Sequence, residues 1–355
     1  MEKRVGQHRP IAHKRVAVTG ASGMLGGELV RQLAGTGASI RLVVRDISRL
    51  EPLIGSFGDG PQFDLVECEL VNPIELKEAF TDMEIVFHCA ARVSFGSADD
   101  PGLVRTNTDI THHVVNACLE AGVERLVHVS SIAALGEPNA EGLIDGGSYP
   151  DSVAGWNGYS LSKFYSENEV WRGIRYGLEA TIVNPSIILG PGDWKGEGSA
   201  ALFATLSGGI PFYVPGENGY VDLRDVARAM ILLSTTQEAV GRRFVLNGTN
   251  LTYREFITLA AKSMAKTPPR WKMGEKGLNR ARKASGWWAR LFGKEPLLTE
   301  ALVKAATSIN RYDGEAIKQV VDFDYCPIGQ TMQYMASAYL QDKKKAKQRK
   351  NKTRQ

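Results

Sequence analysis

The sequence predicts an α/β fold, a doubly wound parallel sheet followed by a smaller, mostly helical C-terminal lobe. Three observations predict it: a glycine-rich turn between a strand and a helix near the start, short apolar strands alternating with helical patterns as far as Ser186, and the loss of that alternation after Gly190. Alternating strands and helices form parallel sheets with right-handed crossovers. The 355 residues suffice for one extended domain or two lobes.

The first strand and helix enclose the glycine-rich turn. Residues 16–18 form a short apolar strand, and residues 24–33 carry apolar side chains at helical spacing. Between them, Gly20, Gly23 and Gly26 follow at three-residue spacing. Such glycines let the backbone approach phosphate groups, and the start of the helix points free N–H groups at an anion. The sequence therefore predicts a pyrophosphate-binding turn.

The later elements continue the alternation. Further strands are predicted at residues 39–45, 63–69, 84–90, 124–131 and 179–186. Helices are predicted between and after them at residues 47–54, 73–80, 103–121, 159–176, 225–234 and 253–264, with a last strand at 243–246. Ligands bind beyond the carboxyl ends of the strands of such sheets. The residues at those ends are Thr19, Arg45, Glu69, Ala90, Ser131 and Asn184.

Composition excludes several classes of protein. The last thirteen residues carry eight Lys or Arg and no acid, although the formal net charge of the whole chain is only +4. The body of the chain is therefore acidic and has no general affinity for nucleic acid, and the basic run is typical of a solvated tail. The four cysteines are scattered, and no metal site is predicted. Without an apolar signal core or membrane span, we expect a cytoplasmic protein.

The residues after the second strand bear on the identity of a dinucleotide. An acid there binds the ribose hydroxyls of NAD, whereas a base pairs with the 2′-phosphate of NADP. Arg45 ends this strand about 20 residues after the glycine turn, with Asp46 next and Arg49 one turn later. The arginines favour NADP(H), while Asp46 leaves NAD(H) open.

The sequence Y-S-L-S-K at residues 159–163 suggests acid–base chemistry. It places Tyr159 and Lys163 on one face of a helix. A neighbouring ammonium lowers the pKa of a tyrosine, which can then act as general acid or base on a carbonyl or alcohol. Ser130 and Ser131 end the fifth strand at the same edge, where a hydroxyl can bind the reacting oxygen. The structural alternative for Ser131 is a turn or N-cap.

Six segments in order along the chain carry a family resemblance. They are T-G-A-S-G-M-L-G (19–26), V-F-H-C-A-A (86–91), V-S-S-I-A-A-L-G (129–136), Y-S-L-S-K (159–163), N-P-S-I-I-L-G-P-G (184–192) and V-D-L-R-D-V-A (221–227). With them the chain resembles the extended short-chain dehydrogenase/reductases, or NAD-dependent epimerase/dehydratase family. V-V-R-D after the second strand and N-P-S at 184–186 are similar to its dihydroflavonol reductase and 3β-hydroxysteroid dehydrogenase branch.

The resemblance implies roles for matching residues. Tyr159 would donate the proton in carbonyl reduction, Lys163 would hold the nicotinamide ribose and tune Tyr159, and Ser131 would be the catalytic hydroxyl. Asn107 would brace Lys163 through water, and Glu69 would face the adenine, where the family usually has Asp. The implied cofactor contacts are Gly20, Ser22, Gly23, Met24, Leu25, Gly26, Arg45, Glu69, Leu70, Ala90, Ala91, Ser130, Tyr159, Lys163 and Pro185.

The alternation of strands and helices, together with the family resemblance, predicts four segments in the chain. We predict a flexible extension at residues 1–12, an NAD(P)-binding Rossmann domain at 13–186 with returns near 222–247, a substrate-binding lobe at 187–341 that closes over the substrate, and a basic disordered tail at 342–355. The basic segment 270–294, with Trp287 and Trp288, either covers a hydrophobic site, touches a membrane surface or is a solvated helix; the solvated helix is favoured over the membrane contact.

The expected function is reversible hydride transfer between NADP(H) and a carbonyl or secondary alcohol. The apolar, tryptophan-containing C-terminal lobe favours a fairly bulky hydrophobic small molecule as substrate, and Asn184 stands where many sugar-nucleotide enzymes carry arginine. Two alternatives stay open: a nucleotide-sugar epimerase or dehydratase with tightly bound NAD, and a non-catalytic dinucleotide-binding redox sensor. The family also implies a homodimer through the helices at 103–121 and 159–176.

Overall fold

The computed structural model of the protein describes residues 11–58, 60–92, 101–196, 198–206, 208–292 and 300–352. The strands are β1 (Arg15–Thr19), β2 (Ser39–Val44), β3 (Asp64–Glu67), β4 (Ile85–His88), β5 (Arg125–Val129), β6 (Ala180–Pro185), β7 (Ile187–Leu189), β8 (Phe212–Tyr213), β9 (Glu217–Asp222), β10 (Arg242–Leu246), β11 (Thr249–Thr252) and β12 (Trp271–Lys272). The helices are α1 (Met24–Ala34), α2 (Glu51–Ile54), α3 (Pro73–Phe80), α4 (Pro101–Ala121), α5 (Gly158–Arg175), α6 (Ser199–Leu206), α7 (Leu223–Ser234), α8 (Tyr253–Ser263), α9 (Glu275–Phe292), α10 (Glu300–Thr307) and α11 (Ile328–Lys352).

The first of two compact units contains the parallel sheet. Within the described residues it takes the chain up to Ile188, and then Val221–Asn247 and Asp313–Tyr325. Its seven strands lie in the order β10-β6-β5-β4-β1-β2-β3, and every neighbouring pair is parallel. The predicted fold class is therefore confirmed. The strand order reverses beside β1, where β4 lies on one side and β2 on the other, and a crevice is expected at this edge.

Alternation along the strands explains why both faces of the sheet are covered. Val16 and Val18 are fully buried in the same apolar cluster as Leu29 of α1. Ala17, between them, belongs to a second cluster that contains Val114 of α4. Because successive side chains of a strand point to opposite faces, one short apolar strand contributes to two cores.

The ends of the chain differ from the prediction. Ile11 is only 5% exposed and packs in the cluster of α1, so the core begins inside the predicted flexible extension; residues 1–10 lie outside the described residues. At the other end, α11 continues through residues 342–352, where a disordered tail was expected. Lys, Arg, Gln and Ala are good helix formers, and neither Gly nor Pro occurs between residues 330 and 352.

The predicted helix at 47–54 is divided in the structure. Residues Ile47–Leu50 form a 3-10 helix, and the short α2 begins directly after it. Pro52 lies in the first turn of α2, where its missing N–H costs no helical hydrogen bond. A continuous α-helix would instead need that N–H to donate to Ser48.

The second unit comprises Leu189–Tyr220, Gly248–Tyr312 and the described residues from Cys326 onward. It is mostly helical, and β9 and β11 pair antiparallel within it. Tyr220 stacks on Phe256 at 4.4 Å between ring centroids, and Trp194 donates to Asp342 at 2.9 Å. Within the described residues, every helix is too short or too polar to span a bilayer. The side chains of Trp287 and Trp288 lie outside the described residues.

One segment crosses the predicted domain boundary. Asp313–Tyr325 belongs to the first unit, although the sequence analysis placed it in the C-terminal lobe. The Asp313 N–H donates to Ile144 O at 2.9 Å, and the Arg228 guanidinium lies 4.4 Å from the Phe323 ring centroid. The segment has no helical or strand periodicity, so the sequence pattern did not indicate that the chain returns to the first unit here.

Candidate active site

The glycine-rich turn after β1 brings two parts of the backbone unusually close. Gly20 has a φ of +76°, and a Cβ there would lie 2.7 Å from the Ala90 nitrogen. A Cβ on Gly26 would lie 2.2 Å from the Gly20 carbonyl oxygen. Only glycine fits at these two positions, because any side chain would overlap backbone. The turn therefore sits directly against the first turn of α1, whose N–H groups have no acceptor inside the helix.

A crevice of about 600 Å³ opens at the carboxyl ends of β1 to β4. Of the predicted cofactor contacts, it is lined by Gly20, Ser22, Gly23, Arg45, Glu69, Leu70, Ala90 and Ala91. The other predicted contacts do not line it: Met24, Leu25 and Gly26 lie in the first turn of α1, and Ser130, Tyr159, Lys163 and Pro185 lie at β5, α5 and β6. Sequence reasoning missed Thr106 and Ile110, whose four-residue spacing on α4 was the available signal.

Charged side chains after β2 differ in how they are bonded. The Asp46 carboxylate accepts from the Ser48 N–H at 3.0 Å and the Ser48 hydroxyl at 2.6 Å. These bonds hold the pKa of Asp46 below its usual value. Arg45 is exposed, and within the described part of the chain its guanidinium makes neither a hydrogen bond nor an ion pair. The acid is satisfied locally, whereas the base is available to a ligand.

Ser131 has two roles at the end of β5. It is the N-cap of the 3-10 helix Ile132–Ala134, and its Oγ accepts from the Ala133 N–H at 3.1 Å. Its hydroxyl also shares a hydrogen bond with Tyr159. The sequence predicted that the Lys163 ammonium lowers the pKa of Tyr159, and this is wrong for the structure: burial raises that pKa, and the Ser131 bond opposes the rise. The capping alternative and the functional interpretation are therefore compatible, because the cap fixes the oxygen that meets the phenol.

Lys163 lies one turn along α5 from Tyr159. Asn157 caps this helix by accepting from the Ser160 N–H at 2.9 Å. The Lys163 side chain is buried, with its Nζ donating to Val129 O at 3.3 Å. Burial lowers the pKa of Lys163 to about 8, and the carboxylate of Glu167 opposes that shift. The ammonium form therefore still predominates at neutral pH.

Asn107 of α4 connects the end of β4 to α5. Its Oδ1 accepts from the Arg92 N–H at 2.8 Å, while its Nδ2 donates to Arg92 O at 2.9 Å and to Ser162 Oγ at 3.3 Å. These bonds hold the chain after β4 against the helix that carries Tyr159. The implied brace to Lys163 through water stays a prediction.

Comparison with known proteins decides the family. The model of the NAD dependent epimerase/dehydratase family matches residues 16–247. The chain belongs to this family. The resemblance drawn from the sequence motifs is thereby confirmed.

Three curated proteins, two of them named as reductases, and one solved structure are similar to this chain. Sterol demethylase protein B of Methylococcus capsulatus is 30% identical over 264 residues, 72% of this chain and 78% of that protein. Cinnamoyl-CoA reductase 1 of Petunia hybrida is 31% identical over 250 residues, 66% of this chain and 73% of that protein. Dihydroflavonol 4-reductase of Zea mays is 27% identical over 244 residues, covering 64% and 68%. The crystal structure of gox2253 superposes with a TM-score of 0.77 at 28% identity, covering 93% of this chain and 98% of that one.

Members of the epimerase/dehydratase family depend on NAD(P), and the residues of this chain fit such a dinucleotide. The Gly20 and Gly26 positions leave room only for backbone beside the N-terminus of α1, as a pyrophosphate requires. Ser130 is 4% exposed, and its Oγ has no hydrogen-bond partner among the described residues. A buried hydroxyl without a partner at the end of β5 is a group that a bound ligand would satisfy. Among the described residues, no group of three or more His, Cys, Asp or Glu side chains could hold a metal.

Behind the site lies a buried set of residues that the sequence analysis did not connect to it. Glu167 and Arg243 form an ion pair at 3.1 Å, with their side chains 2% and 3% exposed. Asn184, at the position where many sugar-nucleotide members of the family carry arginine, donates to Glu167 Oε1 at 2.5 Å and to Ser131 O at 2.9 Å. The available signal was the spacing of Glu167, four residues after Lys163 on the same helical face.

Proposed function

We propose that this family member is an NADP(H)-dependent oxidoreductase that reduces a ketone or aldehyde to an alcohol, or catalyses the reverse, on a fairly bulky hydrophobic small molecule. The proposal rests above all on the hydrogen-bonded Ser131 and Tyr159 hydroxyls, with the buried Lys163 one turn along the same helix. We propose Ser131, Tyr159, Lys163 and Asn107 as the reaction site, and the cofactor contacts given above as the dinucleotide site.

The chemistry follows from what each side chain can hold or give. A bound nicotinamide dinucleotide would supply the hydride for the carbonyl carbon. The Tyr159 hydroxyl donates a proton to the carbonyl oxygen, and the Ser131 hydroxyl holds that oxygen by donating a second hydrogen bond. The Lys163 ammonium stabilises the phenolate left behind. In alcohol oxidation the same phenolate accepts the proton.

The residues after β2 support NADP(H) over NAD(H). Asp46 is occupied by Ser48, while Arg45 lines the crevice and has no protein partner among the described residues. An unpaired arginine at this position suits the 2′-phosphate of NADP, because guanidinium groups bind phosphate through paired N–H donors.

The substrate class is supported by the relatives and by Asn184. Cinnamoyl-CoA reductase and dihydroflavonol 4-reductase are named for substrates that contain aromatic groups. Asn184 is committed to Ser131 and Glu167 inside the protein, so it does not replace the arginine of sugar-nucleotide enzymes. A homodimer through α4 and α5 stays a prediction of the family resemblance.

The test is a titration of the purified protein with NADPH and NADH, followed by nicotinamide fluorescence, and then addition of aromatic, steroid and aliphatic carbonyl compounds. We expect tighter binding of NADPH and its oxidation by one hydrophobic ketone or aldehyde. Tightly bound NAD that no carbonyl oxidises, together with conversion of a sugar nucleotide, would instead establish the epimerase or dehydratase alternative. Cofactor binding with no turnover of either class would establish the redox sensor.

A further inference from the structure

Glu167 links three elements that meet at the proposed reaction site. It lies on α5, one turn beyond Lys163, and pairs with Arg243 of β10. Arg243 is fixed in turn, because its Nε donates to Gly146 O at 2.9 Å and its Nη2 to Ser148 O at 3.2 Å. Asn184, which is fully buried at the end of β6, carries the connection to the Ser131 carbonyl.

Both N–H bonds of Asn184 are committed to this connection. One joins α5 through Glu167, and the other joins the β5 end through the Ser131 carbonyl. The Ser131 hydroxyl and the Tyr159 hydroxyl belong to these same two segments and must stay within hydrogen-bond distance. The Asn184 amide thus links the end of β5, which carries Ser131, to α5, which carries Tyr159.

The titratable groups that face Lys163 lie on α5, in or just after β4, and on β5, and Glu167 of α5 is the carboxylic acid among them. Cys89 follows β4, and burial raises the pKa of its thiol to about 12, so it is neutral. His88 of β4 and His128 of β5 are buried, which lowers the pKa of His88 to about 3 and that of His128 well below its usual value. Among the described residues, Glu167 is therefore the side chain whose negative charge supports the Lys163 ammonium.

We propose that Glu167 is a positioning residue, held by Arg243, that anchors the Ser131 segment through Asn184 and supplies the negative charge facing Lys163. This inference rests on the proposed function for its kinetic consequences. Its electrostatic consequence can be measured without any substrate, since the charge of Lys163 can be followed in the resting protein.

The first experiment measures the charge of Lys163 directly. Protein labelled with ¹³C at the lysine ε-carbon is titrated by NMR, and the Lys163 signal is identified by its loss in Lys163→Arg. In Glu167→Gln we expect Lys163 to titrate about one pH unit lower than in the wild type, because a nearby negative charge favours the ammonium form. An unchanged Lys163 titration in folded Glu167→Gln would overturn the electrostatic part.

Glu179→Gln is the matched control. Glu179, the residue before β6, pairs with the buried Arg125 of β5 at 2.8 Å. This pair lies where β5 and β6 begin, at the opposite end of these strands from Ser131 and Asn184. The substitution is chemically identical and also leaves an arginine without its acid. We expect the Lys163 titration and the kinetic constants of Glu179→Gln to match the wild type. A Lys163 shift of equal size in this variant would identify a general loss of packing and overturn the proposal.

The second experiment tests the anchoring of Ser131. Asn184→Ala keeps the Glu167–Arg243 pair, so it stays testable if Glu167→Gln does not fold. We expect kcat to fall about tenfold while the dissociation constant for NADPH stays within twofold, since the cofactor crevice is untouched. In a Ser131→Ala background, Asn184→Ala should cause almost no further loss of kcat, because Asn184 acts through Ser131. Equal losses in both backgrounds would overturn the anchoring.

The two experiments separate this inference from the proposed function. A wild-type protein that turns over none of the carbonyl compounds contradicts the proposed function, and the Lys163 titration still decides the electrostatic part. If the wild type is a reductase, but Glu167→Gln leaves the Lys163 titration unchanged and Asn184→Ala leaves kcat unchanged, the inference is contradicted and the proposed function still holds.

Discussion

Two regions of the first unit, both at the carboxyl edge of the sheet, are built in opposite ways. The Ser131 region (Ser131, Tyr159 and Lys163) is half-buried or buried, and each of its polar groups already has a partner in the protein. The Arg45 region (Arg45, Asp46 and Ser48) is exposed, and the Arg45 guanidinium has no partner among the described residues. Hydrogen bonds within the protein fix the geometry of the Ser131 region, whereas the Arg45 region presents an exposed positive charge to a ligand.

Under the proposed function, this difference separates two tasks in one molecule. Proton transfer needs groups held at hydrogen-bond distance, and burial also moves their pKa values. Discrimination between two dinucleotides needs only one complementary charge at an exposed end. Substitutions in the Ser131 region should therefore act on turnover, and those in the Arg45 region on cofactor choice.

Tyr159→Phe is the sharpest test of the Ser131 region. It removes the proton donor and leaves the ring, so kcat should fall by about 10²- to 10⁴-fold. The dissociation constant for NADPH should stay close to that of the wild type, which fluorescence titration will show. Unchanged turnover would remove the distinction between the two regions and favour the sensor.

Gly26→Ala tests the close approach between the turn and α1. The added Cβ would lie 2.2 Å from the Gly20 carbonyl oxygen, so the backbone must shift, at a cost of about 1–3 kcal/mol in the free energy of unfolding. We expect weakened binding of both dinucleotides and a lower Tm. The control is Gly27→Ala in the same helix, whose Cβ would stay 3.4 Å from the Ala21 oxygen. Equal effects of the two substitutions would contradict this account.

Arg45→Ala should change cofactor choice and not chemistry. Loss of a charged hydrogen-bonding partner should raise the dissociation constant for NADPH by about ten- to a hundredfold and leave NADH unaffected. The saturated kcat should stay constant. Arg31→Ala removes another half-exposed arginine of the same unit, outside the crevice lining, and should leave the NADPH to NADH ratio as it is.

Turnover should also fall with rising pH above about 8, roughly tenfold for each pH unit, because Lys163 then loses its charge. Unfolding is not the cause: since burial lowers its pKa, Lys163 binds fewer protons in the native than in the unfolded state above pH 8, and its contribution to stability rises there. Lys163→Arg, whose charge persists, should lose this alkaline limb. The measurement is kcat against pH, with Tm recorded at each point.

The sequence predicted what depends on local pattern. Periodicity and glycine spacing located β1 to β6 and α1, and the strand-end rule located Arg45 and Ser131. It did not predict the partners of those residues. Arg243 lies 76 positions from Glu167, and nothing in local spacing says that the two are paired. Asn184 was singled out only because it stands where many sugar-nucleotide enzymes carry arginine, and Asp313–Tyr325 shows neither helical nor strand periodicity.

The position of Arg243 in the chain also has a consequence for the order of synthesis. Residues up to Ile188 leave the ribosome with strand β6 at an open sheet edge and with the Glu167 carboxylate lacking its cation. Both deficits are corrected only when β10 has been made, and the core of this unit also waits for Ile317 and Phe323. A nascent chain that stops before residue 242 therefore exposes an unpaired strand edge and leaves the Glu167 carboxylate without its arginine, two features that chaperones and proteases act on.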